Sequence, residues 1–279
     1  MKKHILLPAL AWVGGIAGFA LRRWELNSAY DPVTRLMGVT LPGLLLPVLM
    51  AALAVTFVLG CRGMGRRGPA DWFYAPSAGY AMAALAGGMV LLIAGGVSLW
   101  QVYTGGERKI MLLLASVLLV LGGAAAAAAA RGIYRGLWSD GLPVLLMGPS
   151  FATLLWLVCI YQQHARQPEV QLYMWQLLSA VAMVLALYGY ASLALDKGSA
   201  GRTCVYSLLA IALTPAALAD SVGLSNTLVW LGGMVWLTAQ SYMLLGAAFG
   251  PERPERMCPE QEEENETEQD KNLEDTEDE

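Results

Sequence analysis

The sequence predicts an all-α integral membrane protein, a bundle of about eight transmembrane helices followed by a disordered acidic tail. Hydrophobic residues make up 56% of the chain and charged residues 14%, with a mean hydropathy of +0.50, which lies outside the usual balance of soluble domains. Fourteen of the 22 acidic residues follow Gly250. We therefore predict a membrane domain over residues 1–250 and a disordered cytoplasmic tail over residues 251–279.

Eight apolar stretches approach the length of about 20 residues that a helix needs to cross a hydrocarbon core of about 30 Å. The predicted spans are 5–21, 41–61, 79–102, 110–130, 142–161, 172–195, 204–220 and 226–249. With the N-terminus inside, eleven Lys and Arg residues flank the spans on the cytoplasmic side and six on the other. This ratio favours a multi-pass protein of the cell membrane with both termini in the cytoplasm.

The first span follows Lys2 and Lys3 and resembles a signal peptide, but its apolar run is longer than usual and its glycines suit helix packing. We expect it to remain in the membrane. The polar stretch behind it, residues 22–40, is predicted to be an outer loop. Its aromatic residues are expected to sit at the lipid headgroups and its arginines to meet lipid phosphate. The alternative is that the loop contacts a partner or an anionic group. The candidate contact residues are Arg22, Arg23, Trp24, Glu25, Asp31 and Arg35.

The second and fifth spans look like counterparts, because each opens on Leu-Pro and carries a second proline, Pro47 or Pro149, in its first third. Proline removes a backbone donor, so paired, proline-broken spans point to a transporter-like site at the membrane midplane. The alternative is that both prolines merely kink their helices. The candidate substrate-binding residues are Pro47, Thr56, Gln101, Pro149, Thr153, Gln176 and Tyr188.

The loop over residues 62–78 is basic and then aromatic, and we expect it to lie on the membrane surface against lipid headgroups rather than to bind nucleic acid. The third and fourth spans are rich in Gly and Ala, which let helix backbones approach closely in lipid. Matches offset by about one hundred residues suggest that spans two to four and five to seven form an inverted repeat.

The later spans carry Tyr, Gln, Ser and Trp side chains that we expect to turn toward other helices. Asp220 is the one carboxylate close to a predicted span. It is expected to meet water at the headgroup level.

Several kinds of chemistry are disfavoured. His4 and His164 are the only histidines and cannot ligate two haems within the membrane. The four cysteines are widely spaced and no nucleotide-binding, metalloprotease or hydrolase motif occurs. We therefore predict no metal and no cofactor, and catalysis is the least favoured class of function.

Two function classes remain. The first is a channel- or carrier-like protein for a small neutral or amphipathic solute, since no charged residue lies at the centre of a predicted span. The second is a non-catalytic membrane anchor or scaffold subunit that recruits protein partners through its outer loop and acidic tail. The paired prolines favour the first.

Overall fold

The computed structural model describes residues 3–29, 38, 40–65, 67–74, 77–105, 110–136, 141–164, 173–220 and 223–250. This part of the chain forms eight long helices and one short helix and contains no strand. The helices are α1 (Lys3–Ala29), α2 (Leu41–Gly60), α3 (Pro69–Trp72), α4 (Ala78–Thr104), α5 (Ile110–Tyr134), α6 (Leu142–His164), α7 (Met174–Ala194), α8 (Ala200–Leu218) and α9 (Leu224–Phe249). All except α3 are long and apolar enough to cross a membrane, which confirms the eight predicted spans. The acidic tail lies outside the described residues.

The long helices alternate in direction, so the bundle has two ends. We call the end that holds Lys3, Cys61, Lys197 and Phe249 the Lys3 face, and the end that holds Arg22, Gln176 and Asp220 the Arg22 face. The start of α1 and the end of α9 lie on the same face, because Lys3 contacts the ring of Phe249. This is what an even number of membrane crossings produces.

Helix α9 is the centre of the bundle and α2 lies at its edge. In its most apolar window, 72% of the residues of α9 are buried inside the protein, whereas 22% are buried in α2. Helix α9 packs against α4, α8 and α1, and α2 packs against α1 and α8. Helices α4, α5, α6, α7 and α8 follow one another around the bundle, each packed on the next.

Small residues bring the helix backbones together, as the sequence predicts. A side chain at Gly88 of α4 would begin 2.8 Å from the backbone nitrogen of Ala127 in α5. One at Gly87 would begin 2.7 Å from the backbone nitrogen of Trp236 in α9. Close backbone approach replaces the hydrophobic effect as the force that holds helices together in lipid.

The predicted breaks at Pro47 and Pro149 do not occur, because α2 and α6 continue as helix through both residues. Pro149 packs against α5 at Gly122, where the absence of a side chain makes room for the pyrrolidine ring. Pro47 is exposed on the outside of the bundle. Helices α2 and α6 therefore do not form a shared proline-broken site, since α2 packs on α1 and α8 and α6 packs on α5 and α7.

The packing follows the proposed inverted repeat only in part. Helices α4 and α5 pack together as α7 and α8 do, but α6 packs along α7 whereas α2 packs on α1 and α8 rather than along α4. The repeat stays a prediction.

Two predicted loops are corrected. Helix α1 continues to Ala29, so residues 22–29 extend the first span by about two turns instead of beginning an outer loop. On the Lys3 face, the aromatic loop contains α3, whose Trp72 is buried together with Phe73. Trp72 donates a hydrogen bond of 3.1 Å to the carbonyl oxygen of Arg67. These rings are covered by the end of the bundle, where α3 packs against α7 and α9.

Candidate functional site

A cluster of polar and aromatic side chains lies inside the bundle, where α4, α7, α8 and α9 meet. Trp236 and Gln240 stand one turn apart on α9 and therefore share a face of that helix. The hydroxyl of Tyr80 donates a hydrogen bond of 3.3 Å to Oε1 of Gln240. All these side chains are buried. We call Tyr80, Tyr190, Ser207, Trp236 and Gln240 the central polar cluster.

The second half of the cluster is aromatic. The ring of Tyr190 meets the ring of Trp236 edge-on, with 5.6 Å between the ring centroids. The hydroxyls of Ser207 and Tyr190 are joined by a hydrogen bond of 3.0 Å. Aromatic rings held in this way form a rigid wall with a polar edge.

Two N–H groups of the cluster have no partner. Nε2 of Gln240 and Nε1 of Trp236 are buried and make no hydrogen bond to any residue that the structure describes. A buried donor left unpaired costs about 1–3 kcal/mol. Such an atom in a protein interior calls for an explanation, and a water molecule or a ligand is the usual one.

The cluster extends from near the Lys3 face into the bundle. Tyr80 lies close to the start of α4 at Ala78 and Tyr190 close to the end of α7 at Ala194. Gln240 is deeper, roughly 14 Å from the end of α9 at Phe249 at a rise of about 1.5 Å per residue. Nε1 of Trp230, further along the same helix, is also buried and has no hydrogen-bond partner in the part of the chain that the structure describes. Helix α9 therefore offers several unpaired donors toward the bundle interior.

A second polar site closes the Arg22 face. Nε of Arg22 in α1 lies 2.7 Å from Oδ1 of Asp220, just beyond α8, and the two side chains are 1% and 3% exposed. Nη1 of Arg22 lies 2.8 Å from Oε2 of Glu25, and Gln176 of α7 donates a hydrogen bond of 3.4 Å to Oδ2 of Asp220. We call these four residues the ion-pair cluster.

The ion-pair cluster joins four helices. Besides α1, α7 and the end of α8, it reaches the start of α2, because the carboxylate of Glu25 lies over Gly43. Burial raises the pKa of the Asp220 carboxyl, and the adjacent Arg22 guanidinium acts in the opposite direction. Water stabilises these two buried charges very little, so the cost of removing each from water must be offset by its neighbours.

These positions correct two expectations. Arg22 is buried in the bundle rather than exposed in an outer loop, and Asp220 is paired with it rather than placed in headgroup water. The reason is the extra length of α1, which carries Arg22 alongside the end of α8. Arg23 and Trp24 are exposed, Glu25 belongs to the ion-pair cluster, and Asp31 and Arg35 lie outside the described residues.

The candidate substrate-binding residues do not come together. Pro47, Thr56, Gln101 and Tyr188 are exposed on the outside of the bundle, and the hydroxyl of Thr56 bonds to the carbonyl oxygen of Ala52 on its own helix at 2.8 Å.

The other three are buried. Pro149 and Thr153 are neighbours on α6, where the Thr153 hydroxyl donates a hydrogen bond of 2.8 Å to the carbonyl oxygen of Pro149. Gln176 belongs to the ion-pair cluster.

The sequence predicts the central polar cluster only in part. Tyr190, Trp236 and Gln240 are among the polar side chains that we expect to face other helices, but Tyr80 and Ser207 are not distinguished from their neighbours. The spacing of Trp236 and Gln240 by one helical turn indicates that they share a face. Which helices this face meets depends on the packing of the bundle.

No group of three or more His, Cys, Asp or Glu side chains in the described residues is arranged to hold a metal ion. Cys61, Cys159 and Cys204 are free thiols. Comparison of the chain with protein-family models, with curated proteins and with solved structures found no match. The chain is a multi-pass membrane protein, because eight of its helices are long and apolar enough to cross a membrane.

Proposed function

We propose that the protein is a carrier-like membrane protein that moves a small neutral solute, with the central polar cluster as its binding site. The observation that supports this most is a pair of donors, Nε2 of Gln240 and Nε1 of Trp236, which are buried inside the bundle and have no hydrogen-bond partner among the described residues. Buried N–H donors suit a solute that offers oxygen acceptors, such as a carbonyl or hydroxyl group. The cluster has no charged member, so a neutral solute fits it better than an ion.

In this proposal the ion-pair cluster closes the Arg22 face. A solute that leaves through that face requires Arg22 and Asp220 to separate and to hydrate. Two discrete arrangements of a packed interface, paired and separated, are what alternating access needs. The site thus differs from the one predicted at the prolines, although Gln176 keeps a role as a member of the ion-pair cluster.

A scaffold or anchor subunit is the second candidate. It is favoured by the close backbone packing of α4, α5 and α9 at their glycines, since a protein that only recruits partners gains from a rigid interior.

Solute flux distinguishes the two candidates. The full-length protein is reconstituted in liposomes, which are then mixed with glycerol, urea, a pentitol or a zwitterionic amino acid. Light scattering measures how the liposomes shrink and how fast their volume recovers as the solute equilibrates. A carrier accelerates equilibration of at least one of these solutes over protein-free liposomes. Equal rates for the whole panel would favour the scaffold.

Two variants connect the flux to the site. We expect Gln240→Leu and Trp236→Phe to reduce the flux about tenfold or more, because each removes a donor worth about 1–3 kcal/mol to a bound solute. Gln240→Leu also removes the acceptor of the Tyr80 hydroxyl and Trp236→Phe part of the ring that meets Tyr190, so both should lower the melting temperature, and flux is measured well below the melting temperature of each variant. Tyr188→Phe, altered at an exposed tyrosine of α7, is the control and should retain full flux. If all three variants transport equally, the cluster is not the solute site.

A further inference from the structure

Two adjoining cavities open at the Lys3 face, between the end of α2, the loop that follows it, and the start of α8. Their volumes are about 400 and 340 Å³, and both are lined by Met64, Ser199 and Arg202. We call the two cavities together the basic groove.

One part of the basic groove is positively charged. It is lined by Arg62, Arg67, Lys197 and Arg202, against a single acid, Asp196. The side chains of Arg62, Lys197 and Arg202 are exposed and make no hydrogen bond or ion pair within the described residues. Arg67 is held in place, because its Nη1 lies 2.6 Å from the carbonyl oxygen of Ala247. Four basic side chains against one acidic side chain leave this part of the groove with a net positive charge.

The other part of the basic groove is apolar. Its wall includes Val58, Val205 and Tyr206. Val58 is 45% exposed on the outer surface of α2, the helix at the edge of the bundle. The groove thus runs from a basic end to an apolar side that faces the lipid.

We propose that the basic groove binds an anionic phospholipid. The phosphate of the headgroup lies among Arg62, Lys197 and Arg202, and an acyl chain follows Val58 and Val205 along α2 and α8. Basic pockets between transmembrane helices at a membrane face bind anionic headgroups, and the groove lies where two spans end, at the level of the headgroups. A soluble phosphate makes no use of the apolar wall, and the same is true of an acidic peptide. This inference is independent of the proposed transport.

Native mass spectrometry of the full-length protein in a neutral detergent tests the proposal. The probes are phosphatidylglycerol and phosphatidylcholine with the same acyl chains. We expect the wild type to retain phosphatidylglycerol at a lower lipid concentration than phosphatidylcholine. Equal retention of the two lipids would overturn the proposal.

Two sets of variants test the charge of the basic groove and the shape of its apolar side separately. Arg62→Gln with Arg202→Gln should weaken retention of phosphatidylglycerol roughly tenfold or more, at about 1 kcal/mol per basic residue. Arg131→Gln with Arg135→Gln removes the same charge from exposed positions at the end of α5 and should change it less than about twofold. Equal losses in the two double variants would mean a general surface attraction and would overturn the proposal.

Val58→Trp fills the apolar side without changing charge and should also weaken retention. Val144→Trp, at an exposed position near the start of α6 and away from the groove, is its control and should leave retention unchanged. Two further results would assign the groove to a different occupant. Displacement of phosphatidylglycerol by glycerol phosphate at equal concentration would indicate a soluble phosphate. Carbodiimide cross-links from Lys197 to carboxylates beyond Gly250 in the presence of phosphatidylglycerol would indicate the acidic tail.

Discussion

Arg22 and Asp220 illustrate how strongly a single residue depends on its surroundings in this protein. A guanidinium that is 1% exposed has lost nearly all its water, and the cost of that loss is offset only while its acidic neighbours are present. A buried ion pair adds little net stability, but half of such a pair is costly. The pair therefore makes the position of α1 against α8 specific.

Asp220→Asn should destabilise the protein by about 3 kcal/mol, because the variant leaves the buried guanidinium with Glu25 as its remaining acidic partner in the described residues. Thermal unfolding in detergent measures the effect as a fall in the melting temperature. Arg23→Gln removes a charge from the neighbouring, exposed residue of α1 and should change stability by less than about 0.5 kcal/mol. Similar melting temperatures for the two variants would argue against the ion pair.

At the scale of the helices, the glycines decide which backbones meet. Gly95 and Gly96 are adjacent in α4, but only Gly95 faces α5, where a side chain would begin 2.6 Å from the backbone nitrogen of Val120. A side chain at Gly96 would have no atom within 4 Å. The two positions therefore separate the effect of helix packing from that of helix propensity.

Gly95→Ala should cost about 1–3 kcal/mol, because the added methyl group forces α4 and α5 apart. Gly96→Ala should be neutral or stabilise the protein by up to about 1 kcal/mol, since alanine is the better helix former. The melting temperatures of the two single variants in the same detergent give the comparison. A larger loss at Gly96 would contradict the packing of α4 on α5.

The whole molecule differs between its two faces. On the Lys3 face the described residues include Lys3, Arg62, Arg67, Arg131, Arg135, Lys197 and Arg202, with Asp71 and Asp196 as the acids. On the Arg22 face, the charges of Arg22 and Arg23 are matched by Glu25 and Asp220. An excess of basic residues on one face favours the cytoplasmic side for that face.

Single cysteines test this orientation in intact cells, in a background from which the native cysteines are removed. Gly65→Cys lies on the Lys3 face and Gly223→Cys on the Arg22 face, and a side chain at either position has no atom within 4 Å. A membrane-impermeant maleimide should label Gly223→Cys and leave Gly65→Cys unlabelled until the cells are opened. The reverse pattern would place the Lys3 face outside.

The sequence by itself determined the number of spans, because an apolar run of the right length has few alternatives to a helix in lipid. It also indicated that Gly and Ala pack the helices. Only the tertiary structure decided where the polar side chains meet. Most side chains of a membrane helix are apolar, whether they border lipid or protein, so the pattern did not reveal that Gln101 and Tyr188 face outward. The ion pair of Arg22 with Asp220 spans 198 positions in the chain, and it forms because the packing of α1 on α8 brings their ends together.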